Sequence, residues 1–212
     1  MKKRILCFGD SNTYGYAPDG SRFDEETRWP MRLGIELGAE YTVIEEGFCG
    51  RTCVYDDPVE GGYKSGLNYL PPCIMSHNPL DVVLLMLGTN DTKKRFGLNA
   101  ENIGEAMMQL VVAAQRYAFN AEGKPSKIVV VSPAPIRDNL MQRRFAECFG
   151  EQAIAVSKAV PREFRKISKL ARCGYFEAGR YAEASLEDAV HMTAESHASL
   201  AKALADKVRS ML

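Results

Sequence analysis

The chain's 212 residues, 46% hydrophobic and 25% charged, are enough to enclose one sizeable core and short for two, so a single domain over residues 1–212 is expected. Lysine plus arginine and aspartate plus glutamate each number 27, with no long block of like charge. Net charge therefore gives no attraction to nucleic acid or a membrane surface, and a small neutral substrate suits that balance.

The start Met1-Lys2-Lys3-Arg4 is basic but precedes only a short apolar run, Ile5 to Phe8, without the longer apolar segment and small-residue cleavage site of a secretory signal. No apolar stretch approaches the roughly 20 residues of a membrane-spanning helix. A soluble, cytoplasmic protein is expected.

Apolar runs bounded by Gly, Pro or Asp recur at residues 4–9, 41–46, 81–88 and 127–132, with a weaker one at 174–177. The run Val82-Val83-Leu84-Leu85-Met86-Leu87 is hydrophobic without alternation, as in strands covered on both faces. Helix-like segments lie between the runs, and that alternation predicts a five-stranded parallel sheet with helices on both sides. Residues 101–118 place Met107, Leu110, Val111 and Ala114 at helical spacing, and residues 194–212 do so with Leu200, Ala203, Leu204 and Val208. Residues 150–172 are also helical in pattern, with Pro161 either kinking the helix or opening a second one. Residues 56–72, holding Gly61-Gly62 and Pro71-Pro72, and residues 132–150 read as loops after strands, where specificity resides in open parallel sheets.

The six cysteines, Cys7, Cys49, Cys53, Cys73, Cys148 and Cys173, are scattered without a CxxC pair or a Cys/His grouping at zinc-ligand spacing. Reduced thiols and no structural metal are expected. Cys49 and Cys53 read as small buried residues rather than redox partners.

Gly9-Asp10-Ser11-Asn12-Thr13-Tyr14-Gly15 follows the first strand, where a turn can present a serine hydroxyl above the sheet. Serine needs a base within hydrogen-bond reach. Of the three histidines, only His191 has a carboxylate three residues earlier, Asp188, able to fix its tautomer and stabilise the imidazolium. His77 reads as a turn residue and His197 as a packing or surface residue of the last helix. Leu87-Gly88-Thr89-Asn90-Asp91 follows the third strand and Gly47-Phe48-Cys49-Gly50-Arg51 the second. If the strands are parallel, these blocks converge at one edge. There the N–H groups of Ser11 and Gly50 and the Asn90 amide can form an oxyanion hole, each donor worth about 2.7 to 4 kcal/mol. Asp10 and Asp91 read as structural carboxylates.

Ser11 in Gly-Asp-Ser, Gly50 in Gly-x-x-Gly-Arg-Thr, Asn90 in Gly-Thr-Asn-Asp and His191 in Asp-x-x-His stand in the order of the four blocks of the SGNH/GDSL hydrolases, which the sequence resembles over almost its whole length. The stretches Ile5 to Ser11, Val43 to Gly47 and Met86 to Thr92 are similar to the arylesterase and acyltransferase branch. Asn12 stands where the GDSL motif has leucine. The resemblance implies a three-layer α/β/α flavodoxin-like fold and no metal or organic cofactor. It further implies hydrolysis of short-chain esters through an acyl-enzyme, with water or an alcohol as acyl acceptor, and a homo-oligomer that walls in the site. Ser11 would be the nucleophile, His191 the base and Asp188 its orienting partner. Carbohydrate O-deacetylation is the alternative within the same machinery. A flavodoxin-like phosphate- or flavin-binding module is a remote one, since the chain has neither a Walker A nor a GxGxxG spacing. Asn12, Tyr14, Tyr16, Trp29 and Pro133 are candidate pocket residues, with core or interface packing the alternative for the aromatics. The 56–72 loop is a candidate wall or subunit contact.

Overall fold

A computed structural model describes residues 2–212 of the chain; Met1, part of the basic start, lies outside the described residues. Strands β1 (Lys3–Gly9), β2 (Tyr41–Gly47), β3 (Val82–Met86), β4 (Lys127–Ser132) and β5 (Gly174–Glu177) form one all-parallel sheet in the order β2-β1-β3-β4-β5. Successive side chains of a strand point to opposite faces, and here both faces are apolar. Val83 and Leu85 enter one core with Leu6, Phe8 and Val130, while Val82, Leu84 and Met86 enter the other with Ile5, Cys7 and Val129. This two-sided burial is why the strands read as unbroken hydrophobic runs.

Helices α1 (Ser11–Tyr14), α2 (Trp29–Leu37), α3 (Gly66–His77), α4 (Ala100–Tyr117), α5 (Ala146–Phe149), α6 (Gln152–Leu170) and α7 (Ala194–Arg209) complete the framework. On the first face α3 contributes Leu70 and Ile74, α4 Ile103, Met107 and Leu110, and α6 Val160, Phe164 and Ile167. The second face is covered by Trp29, Leu33 and Leu37 of α2 and by Leu200, Leu204 and Val208 of α7. The result is the three-layer α/β/α arrangement expected. Among the described residues no helix is long and apolar enough to cross a membrane.

Strand order places the chain reversal between β1 and β3. Sheets of this kind open a crevice at such a point, beyond the strands' carboxyl ends. Register sharpens that placement, because Gly9 pairs with Gly47 on one side and with Met86 on the other. The three loops that follow β1, β2 and β3 therefore leave the sheet at the same level.

The structure corrects the reading of residues 56–72 as loop: the stretch from Gly66 onward is α3, with Pro71 and Pro72 inside it. Ser65 caps the helix by accepting the Asn68 N–H, and burial of Leu70, Cys73 and Ile74 outweighs the backbone bonds that the two prolines cannot make. Residues 132–150 are likewise not wholly irregular, holding a 3-10 turn at Leu140–Gln142 and the short α5. At Pro161 no second helix opens, and α6 runs through it without interruption in secondary structure. The last helix stops at Arg209, short of residue 212.

Phe164 is fully buried between α4 and α6, below the turn at Gly88. Phe164→Ala should cost about 3 to 5 kcal/mol through the cavity it leaves, read as a lower urea midpoint with unchanged slope. A loss under about 1 kcal/mol would contradict this account of the core.

Candidate active site

Ser11 is the first residue of α1, a single turn set directly on the end of β1. Asp10 caps that turn, its Oδ1 accepting the Asn12 N–H at 2.9 Å. The turn sits hard against the end of β2, where a Cβ at Gly47 would fall 2.1 Å from the Tyr14 nitrogen. Only glycine permits this approach.

The loop bearing His191 folds around the Asp188 carboxylate. Asp188 Oδ1 accepts the backbone N–H groups of Val190 and His191, each at 2.9 Å, and Oδ2 lies 2.7 Å from His191 Nδ1. Ala189, between them, takes a φ of 69°, a left-handed conformation that closes the loop at a cost in strain. With Nδ1–H donated to the carboxylate, Nε2 is left as the accepting nitrogen, and it lies 3.0 Å from Ser11 Oγ. Asn12 ties the two loops together, Oδ1 accepting the Met192 N–H at 2.9 Å and Nδ2 donating to the Val190 carbonyl at 3.4 Å. The imidazole lies between the rings of Tyr16 and Phe145, with centroids 4.5 and 5.4 Å away. Arg144 reaches to 3.5 Å from Asp188 Oδ2 and packs its guanidinium over the Phe145 ring.

The oxyanion-hole candidates face the same space. Arg51 N–H donates to the Phe48 carbonyl at 3.1 Å, closing a four-residue turn with Gly50 third at φ 82°, a position that favours glycine. That bond leaves the Gly50 N–H outside the turn's own hydrogen bonding. Asn90 opens a 3-10 turn after β3 and donates one amide hydrogen to the Arg51 carbonyl at 3.1 Å, which leaves a second. Ser11, Gly50, Asn90 and His191 all line one cavity of about 350 Å³. The structure thus brings together residues from four separate segments of the chain.

Of the five residues expected in the pocket, Tyr16 lines this cavity and the others do not. Asn12 is buried as the tether just described. Trp29 is fully buried in the core beneath α2 and α7. Tyr14 turns its ring to the Arg22 guanidinium, 3.9 Å away, and Pro133 is buried just after β4. The cavity is lined instead by Phe145, Cys148 and Phe149 and by Glu60, Lys64 and Lys93, with Cys148 Sγ 3.8 Å from Glu60. The 56–72 segment is therefore a wall. It is held in place by buried charges, with Lys93 Nζ 2.7 Å from Glu60 and Arg95 Nη1 3.0 Å from the buried Asp57. The apolar walls come from the short α5, whose sequence signal is too brief to predict a helix.

The other histidines are occupied elsewhere. His77 Nε2 is 2.8 Å from Glu46, and His197 accepts the Trp29 N–H at 3.1 Å while burial pushes its pKa down to about 3, leaving it neutral. All six cysteines are free; Cys53 is buried, whereas Cys49 is half-buried and lines the cavity.

A parallel sheet of this order carrying these four blocks defines a class of serine hydrolase. The chain belongs to the GDSL-like lipase/acylhydrolase family, whose model matches residues 7–198, and it is a carboxylic ester hydrolase. Family membership sets aside the phosphate- or flavin-binding reading. The M. smegmatis aryl esterase is similar to it at 37% identity and a TM-score of 0.91, over 99% of this chain and 100% of the other. A carbohydrate acetylesterase from Sinorhizobium meliloti is similar at 34% identity and a TM-score of 0.91, over 100% of both chains. A lipolytic G-D-S-L family protein from Veillonella parvula, 15% identical with a TM-score of 0.69 over 99% of this chain and 100% of the other, shares the fold. Among curated protein sequences nothing matches.

Burial pulls the Asp188 carboxyl upward, but the hydrogen bond and charge of His191 and the two backbone N–H groups outweigh it and hold the group below the ordinary value. Asp10 behaves oppositely: burial raises it to about 6, against the opposing Asn12 N–H. From about pH 4 to 6 the folded chain keeps a proton on Asp10 that the unfolded chain releases, so this group's contribution to stability is fullest below about pH 4 and declines as pH rises through about 6. Asp10→Asn removes that titration. Its urea midpoint relative to the parent should rise between about pH 4 and 7, and a flat difference would show that the carboxyl titrates normally.

Proposed function

We propose that this chain, acting as one domain, hydrolyses short-chain, acetyl-type esters through an acyl-enzyme on Ser11. The observation that carries the reading is the connected line from Ser11 Oγ to His191 Nε2 at 3.0 Å and from His191 Nδ1 to Asp188 at 2.7 Å. Ser11 attacks the ester carbonyl as its proton passes to His191, and Asp188 stabilises the imidazolium. The carbonyl oxygen becomes an oxyanion that receives the N–H groups of Ser11 and Gly50 and the free amide hydrogen of Asn90. His191 then gives its proton to the departing alcohol. In the second half it takes a proton from water, or from an acceptor alcohol, which attacks the acyl-enzyme, and it returns that proton to Ser11 Oγ as the acyl–oxygen bond breaks. Water completes hydrolysis and an alcohol completes acyl transfer.

The limited volume of the cavity favours a short acyl group. Its Tyr16, Phe145 and Phe149 rings favour a flat apolar leaving group, in line with the aryl esterase relative. A second reading, removal of acetyl groups from sugars, is favoured by the polar lining residues Glu60, Lys64 and Lys93, which offer contacts for hydroxyl groups. Turnover of an aryl acetate and an acetylated sugar, each with and without added alcohol, separates these: a kcat/KM at least about tenfold higher on the sugar would replace the first reading by the second. Val59 and Tyr63 of the 56–72 segment stand exposed, which favours a second subunit packing on that segment. Light scattering should give a mass above one chain, and a monomer at working concentration would remove the oligomer from the proposal.

Ser11→Ala should fold as the parent does and lose activity on a short activated ester by at least about a thousandfold; retained turnover would overturn the nucleophile assignment. Asn90→Ala should lower kcat by about 100- to 1,000-fold in protein that remains folded under assay, with a lower urea midpoint because the Arg51 carbonyl loses its partner.

A further inference from the structure

Away from the serine, at the outer edge of the sheet, three side chains of different donor type meet. Cys73 and His77 lie four residues apart on α3 and so share one helix face, and Glu46 comes from the end of β2. One donor atom from each, a thiol sulfur, an imidazole nitrogen and a carboxylate oxygen, lies within 4.8 Å of the other two. His77 Nε2 and Glu46 Oε1 are already 2.8 Å apart, and the Tyr69 hydroxyl donates to Glu46 Oε2 at 3.3 Å, orienting the carboxylate. We propose that Glu46, Cys73 and His77 form a binding site for a single divalent zinc-type ion.

The chemistry of the donors selects the ion. Sulfur with imidazole and one carboxylate oxygen suits zinc and disfavours magnesium or calcium, which take oxygen ligands. Carboxylate and thiolate neutralise the two positive charges, and neutral His77 supplies the third ligand. The fourth tetrahedral position falls to water. Binding replaces the Cys73 S–H bond by a metal–sulfur bond and releases one proton to solvent. Two cations lie close by, Arg51, turned to the carbonyls of Gly9 and Glu46, and Arg4, turned to those of His77 and Pro79. Solvent reaches two of the three donors, since Glu46 lines an open cavity of about 640 Å³ and His77 is only partly buried.

A bound ion would pin α3 to the end of β2, immediately before the turn that carries Gly50, so its first effect is on stability rather than on the chemical step. The site shares no residue with the Ser11 cavity, and its test is independent of the esterase assignment. The full chain, stripped with chelator, is titrated with cobalt(II) as the spectroscopic probe. One equivalent should produce a thiolate-to-cobalt charge-transfer band that zinc displaces, and zinc should raise the unfolding temperature. Cys73→Ser should abolish the band, and Glu46→Gln and His77→Gln should each weaken binding at least about tenfold, while Ser11→Ala keeps it. Absence of the band from the parent protein, its persistence in Cys73→Ser, or full affinity in His77→Gln would each overturn the proposal. Because Glu46 and His77 are only partly buried, their variants remain informative if Cys73→Ser fails to fold.

Discussion

Gly9, Gly47 and Met86 stand side by side across β2, β1 and β3, and the site depends on this level register. Three loops leave the sheet at one height, so a hydroxyl, a backbone N–H and a side-chain amide reach a common space without any long reach of their own. A slip by one residue in the pairing would turn every side chain of a strand to the other face. Here such a slip would exchange Leu85 for Leu84 between two full cores, which is why the register is held by the packing on both faces rather than by the loops it serves.

The histidine arrives from the far end of the chain and needs a separate device. Asn12 supplies it by bonding to the backbone on either side of His191, so that the Ser11 turn and the His191 loop are fixed to each other through a residue adjacent to the serine. The Asp188 loop is self-contained, its carboxylate bound by the N–H groups of the residues that follow it. The pair is thus held by local contacts, with Tyr16 and Phe145 packed against the imidazole.

Polar burial is concentrated around this point. Asp10 and Asp91, both fully buried and both raised to about 6, lie at the ends of β1 and β3. Among the described residues, Asp10 Oδ2, Thr13 Oγ1 and Thr89 Oγ1 have no protein hydrogen-bond partner. Trp29 Nε1, Arg32 Nε, Asn139 Oδ1 and His197 Nε2 are further buried atoms without a protein partner, so such atoms are not confined to the site.

The five strands, the two amphipathic helices α4 and α7, and the positions of Ser11, Gly50, Asn90 and Asp188-x-x-His191 were legible in the amino-acid order. Periodicity is a local property, and the short blocks are contiguous. The walls of the cavity were not legible: Trp29 and Asn12 carry the residue types of a pocket yet serve the core and a tether, while Lys93 and Phe149 become walls only through the packing of loops far apart in sequence. The α3 helix was missed because Pro71 and Pro72 signal a break that burial of Leu70 and Ile74 overrides. The meeting of Glu46 with Cys73 and His77 has the same origin, since a strand end and a helix face acquire a common donor set only when the sheet edge packs against the helix. Sequence determined which groups are available and which elements carry them; tertiary packing, acting through contacts that no local pattern encodes, decided which of those groups touch.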